Sequence, residues 1–150
     1  MDLDRRGEDV TTVYVSARTD YAVRAMLAIT AAHPRLVKAA ELAATQDIPL
    51  SFLHGILLDL RRAGLLHSHR GMEGGYALTR SPSEIAVGDV VRATGGALSS
   101  VRGQPTEVAR YHGAAAGLRD VWLAVRDAIE GVLDTTTLAD LSATSTVQIT

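Results

Sequence analysis

The sequence contains no cysteine among its 150 residues. Without a thiol these residues cannot form a disulfide bond, and they cannot supply thiolate ligands to a metal ion. The usual stabilising and redox roles of sulfur are therefore excluded. Stability must come instead from a hydrophobic core.

Aromatic residues are also scarce, with one Trp, one Phe and four Tyr, whereas 47% of the residues are hydrophobic. Abundant Ala, Leu and Val favour helices packed against one another over a sandwich of aromatic-rich strands. The length and the apolar content suffice for one compact core. We therefore expect a mainly helical protein with one domain and accessory segments.

Long apolar runs are missing as well. No window approaches the roughly 18 consecutive apolar residues that a membrane-spanning helix needs. The first six residues, MDLDRR, are mostly charged and lack the apolar segment of a secretory signal. We expect a cytoplasmic protein with no membrane partner.

Charge is unevenly distributed along the chain, although the formal net charge is only −2. The segment from Ser16 to Arg80 has eight Lys or Arg and five Asp or Glu, and the segments on either side of it are acidic. A basic N-terminal half is typical of proteins that bind nucleic acids, because phosphate groups attract positive charge.

The order of helical and strand patterns in this basic segment predicts a winged helix-turn-helix. A helix is expected over Ala17–Ala32, a short helix over Ala39–Thr45, and a turn at Gln46-Asp47. A third helix, from Pro49 to Ala63, has an apolar stripe of Leu residues and Ile56. Two short strands, Leu65–His69 and Tyr76–Thr79, flank a turn with three glycines and complete the motif as a hairpin wing.

The C-terminal half predicts fewer elements. A fourth helix is expected over Ile85–Ala93, and a long amphipathic helix over Leu118–Leu133 needs a partner for its apolar face. A capping-box pattern from Thr137 to Asp140 predicts a short final helix. The expected organisation is a flexible tail (1–14), a DNA-binding domain (15–96), a loop (97–116), a dimerisation helix with the short terminal helix (117–142) and a second flexible tail (143–150).

The start of the third helix is where a winged helix reads base edges in the major groove. Ser51, Phe52, His54 and Gly55 occupy this position, and the glycine permits a close approach to DNA. Arg70, followed by Gly71 at the turn of the wing, is of the type that enters a narrow minor groove. The alternatives are a surface helix with an incidental glycine and an ordinary solvated hairpin.

Further phosphate contacts are predicted at basic and hydroxyl-bearing positions of the same domain, although isolated basic residues are often simply solvated. These residues are Arg18, Tyr21, Lys38, Arg61 and Arg62. His67 and His69 alternate along a strand and share one face, but no third metal ligand is evident, so no metal site and no cofactor is predicted. No catalytic motif indicates an enzyme.

Several of these segments together resemble the Rrf-two family of winged helix-turn-helix regulators, which includes IscR, NsrR and CymR. The resemblance rests on the run from Thr19 to Leu27, the segment from Leu53 to Leu66, the wing from Arg70 to Tyr76, and the later motifs Asp89-Val90-Val91 and Thr136–Leu141. It covers residues from about Ser16 to Leu141.

The resemblance implies a homodimer that binds a palindromic operator and represses or activates transcription. The long C-terminal helix would cross its partner through Leu118, Val121, Trp122, Val125, Ile129 and Val132. The family's base-reading positions fall on Ser51, Phe52, His54 and Gly55, without the acidic and amide side chains common at the last two. Its minor-groove arginine falls on Arg70.

Sensing members of the family hold an iron–sulfur cluster with three cysteines in the segment that corresponds to residues 101–116. None is present here. The expected protein is a cysteine-free transcriptional regulator that acts as a repressor, with a protein partner or a small-molecule effector as its signal. The alternative is a winged-helix module that binds proteins and not DNA.

Overall fold

The computed structural model describes residues 11–96, 98–101 and 103–145. These residues form two compact units: one consists of residues 16–96 and 134–145, and the other of residues 11–15, 98–101 and 103–133. Within the described ranges, no helix is long and apolar enough to cross a bilayer.

Six α-helices and four short strands make up the described chain. In chain order they are β1 (Thr11–Val13), α1 (Ala17–Ala32), α2 (Ala39–Gln46), α3 (Leu50–Arg62), β2 (Leu66–His69), β3 (Gly75–Leu78), α4 (Val87–Ala93), β4 (Ser99–Val101), α5 (Leu118–Thr135) and α6 (Leu138–Ser145). Single 3-10 turns lie at Pro82–Glu84, Thr106–Val108 and Gly113–Ala115. The mainly helical class is confirmed, and the order of α1 to β3 is that of a winged helix-turn-helix.

Helix α1 is the central element of the first unit and packs against α2, α3, α4 and α6. Its N-terminus is capped by Ser16, whose Oγ accepts a hydrogen bond from the amide of Thr19. The core around it consists of Ala22, Ala25, Met26, Ile29, Val37, Leu42, Ile48, Leu53, Ile56, Leu57, Leu60, Leu65, Leu66, Leu78, Ile85, Val90 and Leu138. One continuous core therefore holds the helices of the first unit and the base of the wing together.

The turn between α2 and α3 has the conformation that its sequence predicts. Asp47 ends α2 in the left-handed region, with φ 54° and ψ 50°, a conformation that Asp and Asn tolerate better than most residues. The predicted apolar stripe of α3 is confirmed, because Leu53, Ile56, Leu57 and Leu60 are all fully buried. Burial of this stripe leaves the opposite face of α3 exposed.

The wing is an antiparallel hairpin of β2 and β3, with Leu66 opposite Leu78 and His69 opposite Gly75. A third segment joins it: the amide of Val37 donates to the carbonyl of Tyr76 at 2.9 Å, and the amide of Tyr76 donates back at 2.8 Å. These two hydrogen bonds attach the wing to the residues that lead into α2.

The short helix α6 returns to the first unit, where Leu138 is fully buried. The predicted capping box is present: the amide of Asp140 donates to the hydroxyl of Thr137 at 3.0 Å, and the amide of Thr137 donates to the Asp140 carboxylate at 2.9 Å. The amide of Leu138 also donates to the carbonyl of Ile85. The helix reaches Ser145, so residues 143–145 are helical where a flexible tail was predicted, and residues 146–150 lie outside the described part.

In the second unit the structure differs from the predicted tail and loop. Residues 11–13, predicted as part of a flexible tail, form β1, which pairs with β4 inside the segment predicted as a loop. Thr11 lies opposite Val101, and Val13 lies opposite Ser99. Neither three-residue strand has a local signal, because each is stabilised by a partner far away in sequence. Residues 1–10 of the predicted tail lie outside the description.

The wing attachment makes Gly75 sensitive to substitution. Its φ is +148°, and an added Cβ would lie 2.7 Å from the carbonyl oxygen of Val37. We expect Gly75→Ala to lower the free energy of unfolding by about 2 kcal/mol, because the Val37–Tyr76 hydrogen bonds must shift. Urea denaturation at fixed protein concentration measures this loss.

Gly64→Ala is the matched control. Gly64 also has a positive φ, +82°, but an added Cβ would have nothing within 4 Å. It carries backbone strain alone, so a loss of about 1 kcal/mol is expected. Equal losses for the two variants would contradict the role given to the contact with Val37.

Candidate nucleic-acid interface

The N-terminus of α3 is open. Pro49 occupies the N-cap position, and no side chain in the described ranges caps this helix end. The amides of Phe52 and Leu53 donate to the carbonyl of Pro49, whereas no hydrogen bond is found for the amides of Leu50 and Ser51 within the same ranges. Two N–H groups and the positive end of the helix dipole are therefore available to an anion such as phosphate.

The side chains predicted to read bases lie around this helix end. Ser51, Phe52 and His54 are exposed, and Phe52 exposes 53% of its surface although it is a large apolar residue. Gly55 is half-buried, and the nearest atom to an added Cβ would be Nη1 of Arg18 at 3.7 Å, which is an ordinary contact. The missing side chain of Gly55 is therefore not required by packing within this chain.

An aromatic pair connects α3 to α1. The ring of Phe52 lies 6.1 Å from that of Tyr21, tilted by 51°, and the guanidinium of Arg24 lies 4.9 Å from the centre of the Tyr21 ring. Such contacts contribute about 0.5–1.5 kcal/mol each. Tyr21, predicted to contact phosphate, is thus also a packing partner of the helix end.

Arg24 was missed by sequence reasoning and organises the turn before α3. Its Nη1 donates to the carbonyl of Gln46 at 2.7 Å, and its Nε donates to Asp20 at 3.0 Å. The spacing of Asp20 and Arg24, four residues apart on one helix, was a readable signal for the ion pair. The contact with Gln46 was not, because it joins residues 22 positions apart.

Three of the predicted phosphate-contacting side chains have partners within the protein. Arg18 forms an ion pair with Asp59 on α3. Nη1 of Arg61 donates to the hydroxyl of Ser68 at 3.0 Å. Nζ of Lys38 donates to the carbonyls of Gly71 and Gly74, each at 3.2 Å, at the turn of the wing. These three cations therefore help to position α3 and the wing within the protein.

Two arginines differ from these three. Arg62 at the end of α3 and Arg70 at the start of the wing turn are both exposed, and neither has a partner among the described residues. Gly71 follows Arg70 with a φ of +102°, which a residue with a side chain rarely adopts. In the described structure Glu73, on the same turn, forms no ion pair with Arg70, so the charge of Arg70 faces solvent.

The two wing histidines share one face, as their alternation predicts. The rings of His67 and His69 are 5.0 Å apart, edge to face, and both residues are exposed. Within the described ranges, no group of three or more His, Cys, Asp or Glu side chains could hold a metal ion. The pair can offer two imidazoles to solvent or to a phosphate.

Helix α5, in the second unit, has an apolar face and no buried residue. Exposure along this face is 40% for Leu118, 50% for Val121, 37% for Val125 and 65% for Val132, and Trp122 and Ile129 are half-buried. A regular stripe of exposed large apolar side chains on one helix is typical of a contact surface.

Comparison with known proteins identifies the family. Residues 15–144 match the sequence model of the Rrf2 family, described as iron-dependent transcriptional regulators. An HTH-type transcriptional regulator of Mycobacterium tuberculosis, Rv1287, is 47% identical over 129 residues, which cover 85% of this chain and 80% of that protein. CymR of Bacillus subtilis is 34% identical over 132 residues, covering 86% of this chain and 89% of that protein.

Solved structures agree with the sequence comparison. The structure of CymR (YrzC), the global cysteine regulator of B. subtilis, has a TM-score of 0.73 at 30% identity and covers 87% of this chain and 96% of its own. IscR of T. potens has a TM-score of 0.74 at 31% identity, with 91% and 92% covered. The proteins matched are transcriptional regulators and not enzymes. The chain therefore belongs to the Rrf2 family of DNA-binding transcriptional regulators, as a member without cysteine.

Proposed function

We propose that this cytoplasmic regulator acts as a homodimer that represses transcription from a palindromic operator, with α3 in the major groove and the wing in the minor groove. The observation that carries the proposal is the open N-terminus of α3, surrounded by exposed side chains that can contact bases. Its free amides would bind a phosphate of the DNA backbone and fix the helix in register.

Each residue at this helix end has a role in the proposal. Ser51 donates to a phosphate or a base, His54 donates or accepts at a base edge, and Phe52 lies against the backbone or a thymine methyl group. Gly55 allows the helix to approach the DNA closely. Because His54 and Gly55 replace the acidic and amide side chains common in the family, the operator differs from those that such members bind.

The remaining basic residues are assigned to the DNA backbone. Arg62 reaches a phosphate directly, whereas Arg18, Lys38 and Arg61 contribute positive charge from side chains that also hold the interface in shape. Tyr21 contributes its hydroxyl group. These contacts supply affinity and orientation with little sequence preference.

Dimer formation would use the apolar face of α5. Burial of the side chains along this stripe against the same stripe of a second copy removes exposed apolar surface from water, at about 25 cal/mol per Å². A twofold-symmetric dimer presents two copies of α3 to the DNA, and this symmetry corresponds to a palindromic operator.

The regulator would act without an iron–sulfur cluster, because the residues before α5 do not fit one. No cysteine is available, and the Glu107 carboxylate is occupied by Nη1 of Arg126 at 2.7 Å. Nη2 of Arg119 donates to the backbone carbonyl of Glu107 at 2.9 Å. Hydrogen bonds from Arg126 to Asp127, together with the charge of Glu107, raise the pKa of Arg126. The signal would then be a protein partner or a small molecule.

Substitution of Arg70 tests the wing contact. We expect Arg70→Ala to weaken binding to the promoter region of the protein's own gene. The slope of log affinity against log salt concentration should also become shallower by about one unit, because one cation that neutralises the charge of the DNA backbone is lost. Fluorescence anisotropy across a salt series measures both quantities.

Glu73→Gln is the control on the same turn. It changes the charge by one unit in the opposite direction, so affinity should be unchanged or higher. If Arg70→Ala binds with wild-type affinity and slope, the assignment of Arg70 fails. If the wild-type protein binds no duplex even at low salt, DNA binding through this surface is itself contradicted, and the protein-interaction alternative is favoured.

Substitution of Gly55 separates packing from DNA approach. Gly55→Ala should raise the free energy of unfolding by about 1 kcal/mol, since Ala is the better helix former and the added Cβ meets only an ordinary contact. DNA affinity should nevertheless fall about tenfold, equal to about 1.4 kcal/mol, because the methyl group separates the helix from the DNA.

Gly131→Ala in α5 is the matched control. Its Cβ would have nothing within 4 Å, so it should gain comparable stability without any change in DNA affinity. Full affinity in the Gly55→Ala protein would show that close approach at this position is not needed.

The dimer contact is tested on α5. Val125→Glu places a carboxylate within the apolar face, and burial of that charge costs several kcal/mol. We expect the dissociation constant of the dimer to rise at least about 100-fold, measured by sedimentation velocity. Ala124→Glu adds the same charge at an exposed neighbour on another side of the helix and should leave the dimer intact. A monomeric wild-type protein would refute the proposal.

A further inference from the structure

The tip of the wing is a tight turn of four residues, Gly71 to Gly74. The amide of Gly74 donates to the carbonyl of Gly71 at 3.0 Å, which closes the turn. Met72 and Glu73 occupy its two corners and are the outermost residues between β2 and β3. A β-turn of this kind projects its corner side chains away from the hairpin.

The turn is held in place by Lys38, the residue directly before α2. Nζ of Lys38 donates to the carbonyls at both ends of the turn, those of Gly71 and Gly74. Gly74 leaves no room for a side chain, because a Cβ there would clash with the carbonyl oxygen of His69. The backbone beneath Met72 is thus fixed at both ends before any ligand arrives.

Met72 itself is 90% exposed, the highest exposure of any large apolar residue in the described ranges. Met26, by contrast, is fully buried in the core. The side chain of Met72 is unbranched, long and flexible, and Arg70 lies two positions earlier, directly before the turn. A fixed backbone thus presents an exposed apolar side chain at the tip of the wing, two positions after an exposed cation.

This combination matches the chemistry of the minor groove. Proteins that bind there place arginine in the negative potential of the groove and insert apolar side chains, Met among them, between base steps. Water leaves both surfaces when the apolar side chain enters, so exposure of Met72 in the unbound protein is reversed on binding. The neighbouring Glu73 would remain outside, away from the phosphates.

We propose that Met72 is an apolar wedge that enters the minor groove of the operator next to Arg70 and opens a base step there. The inference rests on the proposed function, because it presupposes that the wing meets DNA. It adds a second contact of different chemistry from the ionic one: Arg70 attracts the groove by charge, and Met72 deforms it by filling it.

The test uses the full-length protein and a duplex that the wild-type protein has enriched from a pool with a randomised centre. Three variants are compared: Met72→Leu, Met72→Gln and Met72→Ala. Leucine keeps the apolar character and a similar volume, glutamine keeps the length but is polar, and alanine removes the side chain. The high exposure of Met72 means that thermal unfolding should be the same for all of them, which excludes a folding defect.

We expect Met72→Ala and Met72→Gln to lower the affinity about tenfold, whereas Met72→Leu retains it. The salt slope should be unchanged in all three, since no charge is lost, and this separates the wedge from the effect of Arg70→Ala. With 2-aminopurine placed in the duplex, its fluorescence should rise on binding of wild-type protein and of Met72→Leu, and less with the other two, because an opened step unstacks the base.

Several outcomes would overturn the inference while leaving the proposed function intact. Wild-type affinity in Met72→Gln would mean that no apolar contact is made. Weaker binding with an unchanged 2-aminopurine signal would place Met72 outside the base stack. If no duplex is enriched by wild-type protein, the proposed function fails and the inference fails with it.

Discussion

Burial of the apolar stripe of α3 against α1 determines how the rest of the first unit is arranged. Leu53, Ile56, Leu57 and Leu60 are fully buried, and each contributes about 1.5–3 kcal/mol relative to an exposed side chain. Rotation of α3 about its axis would expose this stripe, so the helix has one orientation. The opposite face and the open N-terminus then necessarily meet solvent, which is the condition for contact with DNA.

Polar contacts add the finer positioning that burial alone does not give. Arg24 holds the turn before α3 through the carbonyl of Gln46, and Arg18 holds the helix itself through Asp59. Lys38 does the same for the wing by donating to two carbonyls of its turn. Several cations of the basic segment therefore hold the candidate interface in shape through contacts within the protein. Arg62 and Arg70 are the exposed arginines of this interface without partners in the described ranges.

In the second unit, side chains of α5 contact the segment that precedes this helix. Two arginines of α5 contact Glu107: Arg119 donates to its carbonyl, and Arg126 forms an ion pair with its carboxylate. Ionic and hydrogen-bonded contacts thus connect the segment before α5 to that helix. The exposed apolar face of α5 is independent of them and remains the surface on which assembly is proposed.

Local patterns in the sequence determined the helices, the wing and the start of the candidate interface. Apolar spacing located α1, α3 and α5, and the residue types at Asp47 and Thr137 marked a turn and a helix start, because helix periodicity and capping depend on neighbours a few residues away. The tertiary structure alone decided that β1 pairs with β4, that Lys38 donates to the turn of the wing, and which arginines already have partners in the protein. Those contacts join residues that are distant along the chain, and the energy of each depends on a geometry that only the packed core creates.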